Sequence, residues 1–108
     1  MAKSSTGLEE NVAALLSYVV GWVTGLIFFL IEKDSKFVKF HAMQSIITFG
    51  GLMVISWILT IIPVIGWVIG MILGILAFVL WIVLMVKAYK GERYKLPFIG
   101  DLAEKWSA

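Results

Sequence analysis

The 108 residues contain no cysteine, which removes disulfide scaffolds, thiolate nucleophiles and cysteine-built zinc sites from consideration. Histidine occurs once, at His41, too few for a histidine-built metal centre. Proline occurs only at Pro63 and Pro97. Charge is scarce: 15% of residues are Asp, Glu, Lys or Arg, against about a quarter in soluble domains. No charged residue lies between Asn11 and Ile31 or between Ala42 and Val86. Paired carboxylates for acid–base chemistry are therefore missing from these runs, as are the ionisable groups that ion-coupled transporters keep at membrane depth. Ser45 sits one turn from His41, but nothing nearby in the chain orients the histidine as a nucleophile-activating base. The expectation is a protein that is not an enzyme and has no catalytic residues, cofactor or metal.

What is present is apolar. Hydrophobic residues make up 61% of the chain, and its mean hydropathy is +1.00. A soluble chain this short cannot bury so much apolar side chain. The second uncharged run, 42–86, would extend about 68 Å as one helix, twice the roughly 30 Å hydrocarbon core. It must fold back once, and Pro63 with Gly66 marks a turn around Ile62–Gly66. Helices are required because every backbone group in lipid needs an internal partner, and the runs lack a barrel strand's alternation. The expected fold is an all-α integral membrane bundle filling residues 1–108 as one domain. Three transmembrane helices span about 11–31, 41–62 and 67–86. They follow an N-terminal tail (1–10) and precede a cytoplasmic, interfacial segment (87–108). Thr6-Gly7-Leu8-Glu9 fits a capping box at the start of the first helix.

Basic residues indicate orientation. Three crossings put Lys33, Lys36 and Lys39 on the same side as Lys87, Lys90, Arg93, Lys95 and Lys105, leaving Lys3 opposite. The expected location is the cell membrane, multi-pass, with the N-terminus outside and the C-terminus in the cytoplasm. In such a chain the net charge of +2 sets orientation and does not point to nucleic acid.

Two groups of residues stand out. Gly21 and Gly25 form one GxxxG; Gly66, Gly70 and Gly74 form two more in tandem. Small residues four apart let helices approach closely in lipid. The helix that packs on these residues belongs either to the same chain or to another; the expected partners are the lipid bilayer and a second copy, as a homo-oligomer, or a membrane protein. The other group lies on the basic side. His41, Gln44, Ser45 and Thr48 share one face of the second span. A basic, aromatic tail follows the third, with Tyr89, Tyr94, Phe98 and Trp106 placed to anchor at headgroup depth and Asp101 placed to cap a short helix. The first loop and the tail emerge together, so Phe37, Phe40, His41, Gln44, Ser45, Gly91, Tyr94, Leu96 and Pro97 are expected to build one composite cytoplasmic face. Tyr94 hydroxyl or carbonyls near Gly91 would supply partners for His41 and Gln44.

Three stretches carry a resemblance: Asn11-Val12-Ala13-Ala14-Leu15-Leu16-Ser17-Tyr18, Ile31-Glu32-Lys33-Asp34 with Phe37 to Ser45, and Gly91-Glu92 with Tyr94-Lys95-Leu96-Pro97. Together the chain resembles a family of small bacterial and archaeal membrane proteins of unassigned function. Through that family the chain also resembles the import component of the chloroplast inner-envelope Tic complex, to which the family is described as related. The resemblance implies a helical membrane protein with a translocation-related, non-enzymatic assembly role. The alternative is a homo-oligomeric pore lined by the stripe from His41 to Thr48.

Overall fold

Gly21 takes a φ of 61°, a conformation that L side chains rarely adopt, and the first apolar run reverses there. The computed structural model describes residues 2–107, an elongated body with principal extents of 48 × 21 × 21 Å. Helix α1 spans Glu10–Val19 and α2 spans Trp22–Ile31. Thr24 Oγ1 holds the reversal by accepting from Val20 N at 3.1 Å and donating to Ser17 O at 3.2 Å. The two helices form a hairpin. Its ends meet where Ser35 Oγ donates to the Glu10 carboxylate at 2.7 Å and Ser5 N to the Glu32 carboxylate at 3.0 Å.

Ser35 caps the next helix by accepting from Val38 N at 3.2 Å. Helix α3 (Lys36–Ser45) continues through a π-helical turn at Ile46–Gly50 into α4 (Gly51–Leu59), one unbroken helix from Lys36 to Leu59. A turn through Pro63, with Val64 at φ 63°, leads into α5 (Ile65–Tyr89). Helix α6 (Ile99–Ser107) packs beside α3 with Gly100, Ala103 and Ser107 buried. Among the described residues there is no strand, only a single bridge between Lys3 and Glu9.

The structure corrects the expected spans. Two helices, not three, are long and apolar enough to cross a membrane: Lys36–Leu59 with 24 residues and Ile65–Tyr89 with 25. The expected span at 11–31 is two helices of 10 residues each, each about 15 Å long and half the hydrocarbon thickness. The hairpin also moves the N-terminus. Asn11 Nδ2 donates to Tyr89 O at 2.9 Å, so N-terminal segment, first loop and C-terminal segment share one end of the molecule. The N-terminal and C-terminal segments thus lie together, not at opposite ends of the molecule as three spans would place them. The capping box does not form either: α1 begins at Glu10 without a side-chain cap, and Thr6 Oγ1 bonds Ser4 Oγ at 2.6 Å. Asp101 lies in the first turn of α6, not before it.

The core sits wholly at the basic end. Ala14, Tyr18, Leu84, Ala88 and Leu96 are buried together, with Phe37, Phe49, Trp81 and Ile99 packed around them. The distal half holds only α4 and the start of α5. No residue of α4 is buried, and Trp57, Ile58, Trp67, Met71 and Ile72 all stand exposed. Bare apolar helix of this extent is stable only against lipid or another apolar helix.

Candidate functional site

A hydroxyl and an amide on neighbouring helices need partners once buried, and here they find each other. Tyr18, His41 and Gln44 are all fully buried where α1, α3 and the C-terminal segment meet. Leu96 N donates to Gln44 Oε1 at 3.1 Å, which fixes the orientation of the amide. Gln44 Nε2 then donates to Tyr94 O at 2.9 Å and to Tyr18 Oη at 3.0 Å. Tyr18 must send its own proton to His41 Nδ1, 2.7 Å away. His41 Nε2 therefore carries the ring proton and donates to Glu92 O at 3.0 Å. The Glu92 carbonyl can only accept, which places a proton on His41 Nε2; in the neutral ring Nδ1 is then the acceptor for Tyr18. Phe37 and Phe40 enclose the ring edge-on, with centroids at 4.6 and 5.2 Å, and the Arg93 guanidinium lies 5.0 Å over Phe40.

The first loop's helix and the tail are thus in contact. Gly91, at φ 79°, ends α5: Gly91 N donates to Ala88 O and Glu92 N to Lys87 O, both at 3.0 Å. That pairing is a Schellman cap, which needs a residue tolerant of positive φ. It turns residues 92–96 back over His41 and Gln44. Leu96 is buried, and Pro97 begins the bend into α6, where Phe98 has φ 63° and is 85% exposed. Tyr94 contributes its carbonyl; its ring lies near Lys87 Nζ. The hydroxyl that serves His41 belongs to Tyr18, which the sequence reasoning passed over. A tyrosine in an uncharged run is itself a signal, because its hydroxyl must find a partner there.

The glycines divide. A Cβ on Gly25 would meet Ala42 O at 2.8 Å and Ser45 Cβ at 3.0 Å; one on Gly21 would meet Phe49 Cβ at 3.3 Å. Ser45 Oγ donates to Gly21 O at 2.8 Å. Gly66 faces the Leu59 carbonyl across the distal turn. Gly70 and Gly74 have nothing within 4 Å of such a Cβ inside the chain.

Glu32 is the other residue missed. It is only 2% exposed, and its carboxylate accepts from Ser5 N, Ser5 Oγ, Asp34 N and Ser35 N at 2.7–3.0 Å. Burial pushes its pKa up, but the donors from Ser35, Ser5 and Asp34 outweigh that and lower it to about 2. It fastens the N-terminal segment to the first loop. Among the described residues no three His, Cys, Asp or Glu side chains converge as a metal centre would need.

A short helical hairpin packed on two long apolar helices, with the buried polar network at one end, defines a small helical membrane protein. The chain belongs to the magnetosome magnetite crystal formation protein family, whose model matches residues 8–103. A UPF0132 membrane protein of Methanocaldococcus jannaschii is 57% identical over 107 residues, covering 99% of this chain and 96% of the relative. A second from that organism is 50% identical over 100 residues, covering 93% and 71%. One from Archaeoglobus fulgidus is 52% identical over 98 residues, covering 91% and 95%. These relatives are membrane proteins of unassigned function. No solved structure matches the chain.

Proposed function

We propose that the protein is a non-enzymatic assembly subunit: an apolar two-helix anchor carrying a rigid basic platform that meets a partner at the membrane surface. The observation that carries this reading is the closed hydrogen-bond chain from Leu96 through Gln44, Tyr18 and His41 to Glu92. It uses buried polar groups to hold loop and tail in one shape, and a preformed surface binds with little ordering cost. The platform is cytoplasmic on this reading. Lys3, the lysines of the first loop and the basic residues of 87–105 lie at its end, and the distal turn through Pro63 has none. That asymmetry supports two crossings with both termini inside.

The family's description names magnetosome magnetite crystal formation, which supports a role in forming a structure rather than in catalysis. The resemblance to the chloroplast import component is the sole support for a translocation role. The pore alternative is disfavoured because His41, Gln44 and Ser45, three of the four residues that would line it, spend their polar groups inside the chain, and Thr48 is buried within it.

A photo-crosslinking amino acid placed at Lys33 or Tyr94 on the platform, and at Trp67 on the anchor, tests the reading in cells. The expected result is protein adducts of defined mass from the platform positions. Adducts from Trp67 alone, with none from Lys33 or Tyr94, would reject it.

A further inference from the structure

Between α1 and α5 runs an open groove of about 420 Å³, lined by Leu15, Ile82, Met85, Val86, Tyr89 and Lys90. Its walls are apolar except at one end, and Ile82 to Lys90 cover about 12 Å of helix axis. Leu15 and Met85 are half-buried, while Ile82 and Val86 are open to the surroundings. The groove belongs to the spanning part of α5, so its open side faces hydrocarbon and its end at Lys90 reaches the headgroups. Tyr89, 54% exposed, stands beside that end where aromatic rings prefer to sit.

The charges around the mouth are unequal. Lys87, at the same end of α5, pairs with Glu92 at 3.2 Å. Lys90 makes no ion pair among the described residues, so its ammonium is available to an external anion. We propose that this groove seats one acyl chain of an anionic membrane phospholipid, with the headgroup phosphate held by Lys90. The apolar walls supply the affinity for the chain. A lysine at the interface supplies the preference for net negative charge, as basic pockets beside spanning helices do.

The test uses the full chain purified in mild detergent and titrated with phosphatidylglycerol or phosphatidylcholine, read by native mass spectrometry. The parent should retain one phosphatidylglycerol in preference to phosphatidylcholine. Lys90→Gln should weaken phosphatidylglycerol about fivefold and leave phosphatidylcholine unchanged. Lys33→Gln, on the first loop away from the groove, should change neither. Val86→Trp fills the groove from an exposed position that the fold tolerates, and should weaken both lipids. Equal losses from Lys90→Gln and Lys33→Gln would reduce the effect to diffuse attraction and overturn the site. Full retention by Val86→Trp, or equal binding of both lipids to the parent, would overturn it as well.

Discussion

Replacing Gln44 with methionine keeps the volume of the side chain and deletes every polar contact it makes. Three bonds vanish: Leu96 N to Oε1, and Nε2 to Tyr94 O and Tyr18 Oη. Gln44 is fully buried, so water cannot readily replace it. Each bond contributes about 1 kcal/mol net, and interhelical bonds in membranes fall in the same range or below. The two that reach the tail, about 2 kcal/mol together, amount to about thirtyfold on the equilibrium that opens it, at about 1.4 kcal/mol per decade. Two of the three lost bonds hold the C-terminal segment, so the damage should be local. Hydrogen exchange of the full chain in detergent should show residues 92–98 exchanging about thirtyfold faster, with α5 far less affected. Tyr18→Phe removes a hydroxyl that bonds His41 and Gln44 and no atom of the tail, so it should accelerate the same segment by less than Gln44→Met does. If Gln44→Met leaves residues 92–98 within about threefold of the parent, the network does not hold the tail. If α1, α3 and the tail all accelerate equally, the segment has no separate opening and the local account fails.

Cysteines introduced at Ala2, Lys105 and Ile61 should label asymmetrically with an impermeant thiol reagent on intact cells: Ile61→Cys labelled, the other two only after lysis. Labelling of Ala2→Cys but not Lys105→Cys would restore an odd number of crossings. Gly25→Ala drives a methyl group towards Ala42 O and Ser45, and should destabilise the protein by about 1–3 kcal/mol in a detergent melt. Gly70→Ala meets nothing in the chain and should melt at the parent temperature or slightly above, because alanine favours the helix. If Gly70→Leu changes the oligomer on elution while the monomer melts normally, the stripe packs against another copy; unchanged elution assigns it to lipid. Glu32 has a folded-state pKa below its ordinary 4.5. Its contribution is present above that value and is lost as pH falls from there towards 2. Protection of the Ser5 and Ser35 amides should decline over that window, and Glu32→Gln should abolish the decline by removing the protection at all pH. A parent decline that survives in Glu32→Gln would assign it to another carboxylate.

The membrane class was legible because it depends on composition alone: no arrangement of this chain in water could hide its apolar runs. The fold-back at Pro63 was legible for the same reason, since run length and bilayer thickness allow nothing else. The contact between first loop and tail was also readable, from the crowding of polar residues at one end of the spans. The hairpin at Gly21 was not. Residues 11–31 satisfy the length and hydropathy of a crossing, and a glycine inside a spanning helix is ordinary. What decides the reversal is non-local. Ser45 Oγ takes the Gly21 carbonyl, Phe49 packs at Gly21, and Ser5 and Ser35 bind Glu32 and Glu10 across the hairpin's ends. None of these partners is a sequence neighbour of the turn at Gly21.

The choice of hydroxyl for His41 has the same origin. Tyr94 and Tyr18 are both near enough by topology, and only the packing of α1 against α3 puts the Tyr18 hydroxyl 2.7 Å from Nδ1. The sequence by itself determined the solvent, the helical class, the long anchor and the basic end, because these follow from transfer free energies summed over whole segments. The tertiary structure alone decided how many helices are long enough to cross, which end of the molecule holds the N-terminal segment and which tyrosine closes the network. Those outcomes rest on single hydrogen bonds and close contacts between residues far apart in the chain, and such terms do not appear in any segment's own composition.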